Sequence, residues 1–153
     1  MVIAAAVVLV IGAVSVLVLQ RGKPVNTVTP ISAALDPYAS TLPISGLAMS
    51  ESANLAGGKV TYLDGHIVNT GTRTVSGITV QVLFRTFAHE VAQNDTEPLK
   101  IIRMREPYID VQPVSQAPLV PSAGADFRLI FDGVNADWDG AYPEIRVVHV
   151  ETK

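Results

Sequence analysis

The stretch that decides the fold is Ser76–Arg85, which reads SGITVQVLFR. Every second residue from Ile78 to Phe84 is apolar, and the polar residues Thr79 and Gln81 stand between them. Successive side chains of a β-strand point to opposite faces of the sheet, so this alternation predicts a strand with one face toward a core. It is the clearest strand signal in the chain and indicates a β-rich domain.

Further strand signals lie on both sides of this stretch. Residues 59–69 and 74–84 flank the turn-forming sequence Asn69-Thr70-Gly71, and we interpret the two runs as a β-hairpin. Prolines 107, 113 and 118 restrict residues 108–119 to a loop or an edge strand. Fainter strands are predicted at residues 44–50, 99–104, 127–131 and 145–150.

The number and spacing of these strands predict the fold class. About seven short strands separated by turn signals, with no long amphipathic helix between them, are typical of an immunoglobulin-like β-sandwich. The chain contains no cysteine, so the disulfide of antibody domains is absent and sheet packing alone must hold the core. We therefore predict a mostly β domain over residues 44–153.

The N-terminal stretch Val2–Leu19 is apolar and carries no charge. Eighteen residues of helix extend about 27 Å, close to the roughly 30 Å hydrocarbon core of a bilayer. A cleaved signal peptide would require a basic region before the apolar stretch, but no basic residue precedes it. We therefore predict a transmembrane anchor over residues 1–20, followed by a proline-rich extended tether over residues 21–43.

The orientation of the anchor is predicted from two opposing observations. Arg21 and Lys23 follow the apolar stretch, and the positive-inside rule would then place the domain in the cytoplasm. Two charges are a weak bias, however, and sandwich domains of this type are more common outside the cytoplasm. We expect a single-pass protein of a bacterial inner membrane with a periplasmic domain.

Several segments resemble a known bacterial family. The run Asp64–Gly71, followed by Val75 and Ile78–Phe84, is similar to part of DUF2393, a family of unknown function found largely in Acidobacteria. FxLYD-type domains are similar to that family. Residues 105–108, 117–119, 126–131, 137–138 and 143–147 extend the likeness from about Leu42 to the C-terminus. The resemblance implies the fold and an extracytoplasmic location, and it brings no catalytic residues.

Composition and motifs argue against catalysis and nucleic-acid binding. The net charge is −3, and beyond the membrane flank no cluster of lysine and arginine forms a nucleic-acid footprint. The sequence lacks a Gly-x-Ser-x-Gly elbow, a Ser-x-x-Lys pair and a glycine-rich phosphate loop before a helix. We predict no catalytic residue, no cofactor and no small-molecule ligand.

Two patterns partly match known metal sites, but each lacks ligands that such a site needs. Residues 135–140, NADWDG, match the first half of a calcium loop, but position twelve is Arg146 instead of glutamate. His66, His89 and His149 are scattered along the chain. We interpret residues 135–140 as an ordinary loop and predict no metal site.

Four residues of the domain are candidate interface positions. Trp138 and Tyr142 flank the last loop, where aromatic side chains either anchor a partner or plug the end of the core. Tyr108 and Ile109, which lie between prolines, form a second candidate.

Three residues of the anchor are further candidates. Ala5 and Gly12 lie two helical turns apart on one face, with Ser15 close by, and small residues allow helices to approach closely.

These observations favour a non-catalytic, single-span accessory subunit that docks on and stabilises other subunits of a larger membrane complex. An energy-transducing complex, respiratory or photosynthetic, is one class that fits. The alternative is a free-standing anchored module of the cell envelope that binds a peptide or a glycan.

Overall fold

A computed structural model describes residues 32–53 and 57–153 of the chain. The predicted membrane span, Val2–Leu19, lies outside these residues, as does the first part of the predicted tether. Within the described residues no helix is long and apolar enough to cross a bilayer.

In the part of the chain that the structure describes, eight strands form two antiparallel sheets, and the mostly β prediction is confirmed. The five-stranded sheet has the order β1-β2-β7-β5-β6, and the three-stranded sheet has the order β4-β3-β8. Besides the strands, two 3-10 turns occur at Ala39–Thr41 and Val114–Gln116. The strands are β1 (Ile44–Ala53), β2 (Lys59–Val68), β3 (Val75–Arg85), β4 (Val91–Pro98), β5 (Lys100–Met104), β6 (Asp110–Pro113), β7 (Gly124–Asp132) and β8 (Glu144–Thr152).

The core lies between the two sheets and follows the alternation seen in the sequence. Apolar side chains of β3 meet those of β2 and β7 across the sandwich, and the Phe84 and Phe131 rings make an edge-to-face contact with centroids 5.0 Å apart. Burial of such side chains is the main stabilising term of the domain. The residues that β2, β3 and β7 contribute to the core between the sheets are Leu63, Ile67, Val75, Ile78, Val80, Val82, Phe84, Phe127, Leu129 and Phe131.

The predicted pairing of residues 59–69 with residues 74–84 is wrong. Both runs form strands, but β2 pairs with β1 and β7, whereas β3 pairs with β4 and β8. The connection therefore crosses from one sheet to the other. Alternation identifies which face of a strand is buried, but it does not identify the sheet to which the strand belongs.

The chain crosses between the sheets again at Leu99, between β4 and β5. The chain leaves the three-stranded sheet at Pro98 and enters the five-stranded sheet at Lys100. Leu99 is buried at this point, and its N–H donates to the carbonyl of Ile78 at 2.9 Å. The sequence predicted β5 but missed β4, because residues 91–98 read VAQNDTEP and are mostly polar.

The packed domain begins before the predicted boundary at Ile44. Leu42 is 2% exposed and belongs to the core. The N–H of Asp36 donates to the carbonyl of Val147 at 3.1 Å, and Asp36 Oδ2 accepts the N–H of Val150 at 2.8 Å. The last part of the predicted tether thus lies along β8 and joins the sandwich.

Candidate interaction site

The hairpin between β3 and β4 places an aromatic side chain in solvent. The N–H of Thr86 donates to the carbonyl of Glu90 at 2.9 Å, and the N–H of His89 donates to the carbonyl of Thr86 at 2.8 Å. Thr86 Oγ1 accepts the N–H groups of Ala88 and Glu90. This closed turn leaves Phe87 with 83% of its surface exposed, the largest value among the exposed large apolar residues of the described chain.

The loop between β7 and β8, residues 133–143, lies next to this hairpin. Asn135 Nδ2 donates to the carbonyl of Ala92 on β4, and Asn135 N donates to Gln93 Oε1 at 2.7 Å. Further along the loop, Asp139 Oδ1 accepts the N–H of Ala141 at 2.8 Å. The loop ends at Tyr142, whose side chain is 59% exposed.

Arg85 joins the hairpin to the loop. Its Nη1 donates to the carbonyl of His89 at 3.0 Å, and its Nη2 donates to Glu144 Oε2 at 2.8 Å. The carbonyl of Arg85 accepts the N–H of Asp139 at 3.0 Å. Residues 86–90 and 133–143 therefore form one continuous end of the sandwich, which we call the aromatic end.

Trp138 lies under this surface rather than on it. Its ring makes an edge-to-face contact with Phe84, with centroids 5.4 Å apart, and packs against the core. Its Nε1 donates to the carbonyl of Ala141 at 3.0 Å. Of the two aromatic residues predicted around this loop, Trp138 closes the core and Tyr142 faces solvent.

The other predicted interface residues lie elsewhere. Tyr108 is 64% exposed on the loop between β5 and β6, and Ile109 beside it is half-buried. Arg105, on the same loop, binds Asp126 at the start of β7, so this loop lies at the opposite end of the sandwich. Ala5, Gly12 and Ser15 lie outside the described residues.

The calcium-like segment uses its oxygens to shape the loop. Asn135 Oδ1 accepts the N–H of Asp137 at 2.9 Å, as in an ordinary Asx turn. Within residues 32–53 and 57–153, no group of three or more histidine, aspartate or glutamate side chains is arranged to hold a metal ion. The three histidines are far apart: His66 pairs with Asp126 on the five-stranded sheet, whereas His89 lies in the hairpin and His149 on β8.

Paired charges cover part of the outer face of the five-stranded sheet. Arg128 forms a bidentate contact with Asp64, with N–O distances of 2.6 and 2.8 Å, and lies over the Tyr62 ring. The hydrogen bond to Asp64 raises the pKa of Arg128. Hydrogen bonds from Arg105 and then His66 lower the pKa of Asp126. Because Arg128, Asp64, Arg105 and Asp126 are paired with one another across neighbouring strands, we interpret these contacts as stabilising the sheet.

A cleft lies at the open side of the sandwich, between β8 and the segment that leads into β1. The cleft has a volume of about 430 Å³ and a mostly apolar wall. Its apolar lining residues are Leu35, Pro37, Ala39, Leu42, Ile44, Ile145 and Val147.

Phe87 is the site residue that the sequence analysis missed. It stands in the short segment TFAHE between a strong strand and a polar run. Recognising the polar run as an edge strand would have identified the segment as a hairpin tip. A large aromatic residue in such a tip cannot reach the core, so the position of Phe87 would have indicated an exposed interface residue.

The chain was compared with curated proteins, solved structures and protein-family models. Neither the curated proteins nor the solved structures give a match. A family model described as protein of unknown function (DUF2393) matches residues 39–146, which include β1 to β7 and the first three residues of β8. This match covers more than half of the chain and agrees with the resemblance found in the sequence, so the chain belongs to the DUF2393 family.

Proposed function

We propose that the protein is a non-catalytic, single-span accessory subunit of a larger membrane complex, with an immunoglobulin-like domain that docks on its partners through the aromatic end. The observation that carries this proposal is the exposure of Phe87 and Tyr142 on two loops that Arg85 joins. Large aromatic residues that remain in solvent are common anchors of protein interfaces.

The strand order supports an immunoglobulin-like assignment. If β1, β2, β7 and β5 are strands A, B, E and D, the first sheet has the order of an immunoglobulin constant domain, with β6 added at its edge. The sheet β4-β3-β8 then corresponds to C′-C-F. Asp36 lies beside β8, where strand G would stand.

The rigidity of the aromatic end also supports docking. Arg85 and Asn135 tie the two loops to the strands with three side-chain hydrogen bonds that have donor–acceptor distances of 2.8–3.1 Å. Trp138 fills the space beneath them. A preorganised surface loses little conformational entropy on binding, so its exposed aromatic residues can contribute most of their interaction energy to affinity.

The sequence supports attachment to a membrane. The uncharged stretch Val2–Leu19 has the length of a single span, and the family resemblance favours a periplasmic domain in a bacterial inner membrane. The bilayer and other subunits of the complex are then the partners. A small-residue face of the anchor would contact neighbouring helices.

Native gel electrophoresis tests this proposal. The full chain is solubilised from its own membranes in mild detergent, and the bands are analysed by mass spectrometry. We expect it to migrate with other subunits, and we expect the double variant F87S/Y142S to be released. The control Y108S removes an equally exposed aromatic residue from the opposite end and should leave the complex intact. Migration of the unaltered chain as a monomer without co-purifying subunits would refute the accessory role.

The cleft between β8 and the segment that leads into β1 favours a second candidate, an anchored envelope module that binds a peptide. Its apolar wall and the adjoining outer strands resemble sites where an extended peptide adds to a sheet. Under this alternative the chain migrates alone, and I44D at the cleft rim abolishes peptide binding while F87S/Y142S does not.

A further inference from the structure

The geometry points to a partner of defined chemistry for the aromatic end: a protein surface with an apolar recess surrounded by lysine and arginine side chains. This inference rests on the proposed docking function and specifies what the aromatic end recognises. It follows from the distribution of charge in the described domain.

The excess negative charge of the domain is concentrated at the aromatic end. The described residues contain fourteen carboxylates and nine lysine or arginine side chains. Six of the carboxylates but only two of the cations, Lys59 and Arg85, belong to the aromatic end and the strand termini that adjoin it. The remaining eight carboxylates and seven cations nearly balance. The six carboxylates are those of Glu51, Glu90, Asp132, Asp137, Asp139 and Glu144.

Both cations of this end are already engaged. Lys59 pairs with Glu51 at 3.1 Å, and Arg85 pairs with Glu144 at 2.8 Å. Within the described part of the chain, the other four carboxylates form no ion pair. These are the carboxylates of Glu90, Asp132, Asp137 and Asp139.

The opposite end of the sandwich provides a contrast. Around Tyr108, Arg103 pairs with Asp110, and Arg105 pairs with Asp126. An aromatic side chain is therefore exposed at each end, but among the described residues the aromatic end has four carboxylates without an ion pair, whereas near Tyr108 only Glu106 lacks one. Exposure alone does not distinguish the two ends, whereas charge does.

This charge selects among possible occupants. Carboxylates beside Phe87 and Tyr142 would be repelled by the anionic lipids of a bilayer surface, which disfavours insertion of these rings into a membrane. A basic protein surface would instead be attracted, and complementary rim charges accelerate association and fix orientation. Aromatic anchors in the centre with charges at the rim match the usual arrangement of an interface.

Photo-cross-linking in native membranes tests the inference. The full chain carries p-benzoylphenylalanine in place of Phe87, and the adducts are identified by mass spectrometry. We expect adducts on another protein, at a surface segment rich in lysine or arginine. The charge-reversing change D137K/D139K, or 0.5 M salt, should lower the yield about tenfold, because both weaken rim attraction. The control E106K/E151K changes the net charge equally, away from the aromatic end, and should leave the yield unchanged.

Each result is decisive when thermal unfolding shows that the variants remain folded. If F87S/Y142S releases the chain from its complex but charge reversal and salt have no effect, docking stands and the basic partner is refuted. Adducts on lipid would replace the protein partner by the bilayer and also refute the inference. If neither set of changes affects the complex, the proposed docking function itself fails.

Discussion

At the scale of single residues, Asn69 shows how one polar side chain ties the connection between β2 and β3 to the segment before β7. It is fully buried in the connection between β2 and β3. Its Nδ2 donates to the carbonyls of Arg73 and Leu119, both at 2.8 Å, and its Oδ1 accepts the N–H of Gly71 at 3.1 Å. The sequence identified Asn69 as a turn residue, but its contact with Leu119, fifty residues away, depends on the tertiary fold.

We expect N69A to lower the free energy of unfolding by about 2–3 kcal/mol, because it removes several buried hydrogen bonds at once. Urea unfolding of the full chain in detergent, followed by Trp138 fluorescence, measures this change. T70A is the matched control, since the Thr70 hydroxyl is exposed and makes one bond, to the carbonyl of Thr41. Equal effects of the two substitutions would refute the structural role of Asn69.

Glu97 is a residue whose charge opposes the fold. It pairs in register with Val80, and Asp95 pairs with Val82, so both carboxylates lie on the core-facing side of the edge strand β4. Burial first, and then repulsion from Asp95, raises the pKa of Glu97. Inward-pointing charges of this kind discourage an edge strand from pairing with another chain.

A carboxyl group with a raised pKa in the folded state stabilises the fold only while it is protonated. This contribution is present below the unfolded pKa of 4.5 and is lost as the pH rises through the folded value. We therefore expect E97Q to raise the free energy of unfolding at pH 7 by about 0.5 kcal/mol. The gain should disappear below about pH 4. E106Q, which removes an exposed charge, is the control; a gain that persists at low pH would contradict this explanation.

At the scale of strands, the sequence predicted most elements but not how they assemble. The alternation in β3 was strong because its core-facing positions Ile78, Val80, Val82 and Phe84 are all apolar and buried. In β4 the core-facing positions carry Asp95 and Glu97, which removes the alternation, so this strand was missed. The pairing of β2 with β7 could not be predicted, since these two strands are distant in sequence, and the turn signal at Asn69 favoured β3 over the preceding strand β1 as the neighbour of β2.

Gly65 also shows that the contacts of a strand cannot be predicted before its neighbouring strands are known. It alternates with the apolar residues Leu63 and Ile67 in the sequence, which places all three on one face of β2, but the sequence gives no reason for a glycine there. In the structure a Cβ at this position would lie 2.4 Å from Phe127 Cζ and 3.0 Å from Leu47 Cδ2. The glycine makes room for the ring of the neighbouring strand, and this is visible only after β2 and β7 are paired.

We expect G65A to lower the free energy of unfolding by about 2 kcal/mol, because Phe127 is fully buried and its ring has no free space to enter. The double variant G65A/F127L should recover part of the loss, since leucine is smaller at the contact. Chemical denaturation of both variants measures this coupling. If G65A is as stable as the unaltered chain, the close packing of β2 on β7 is wrong.

At the scale of the whole molecule, the proposed role combines an anchor predicted from the sequence with a surface seen in the structure. The sequence predicted Tyr142 as an interface candidate but not Phe87, and it could not show that Arg85 brings them to one end. It also predicted Tyr108 as an interface candidate, although among the described residues near Tyr108 the carboxylates of Asp110 and Asp126 are paired with arginines and only Glu106 lacks an ion pair. The distinction between the two ends depends on charges that are distant in sequence and adjacent only after folding.

Hydroxyl-radical footprinting tests the central claim, docking through the aromatic end, most directly. The full chain is labelled once in its native membranes and once after purification in detergent. Purified protein should be oxidised at Phe87, Tyr142 and Tyr108, which are 83%, 59% and 64% exposed. In native membranes we expect Phe87 and Tyr142 to be protected about fivefold or more, as anchors buried in an interface core are, while Tyr108 remains reactive. Equal oxidation of Phe87 and Tyr142 in both states would contradict the claim.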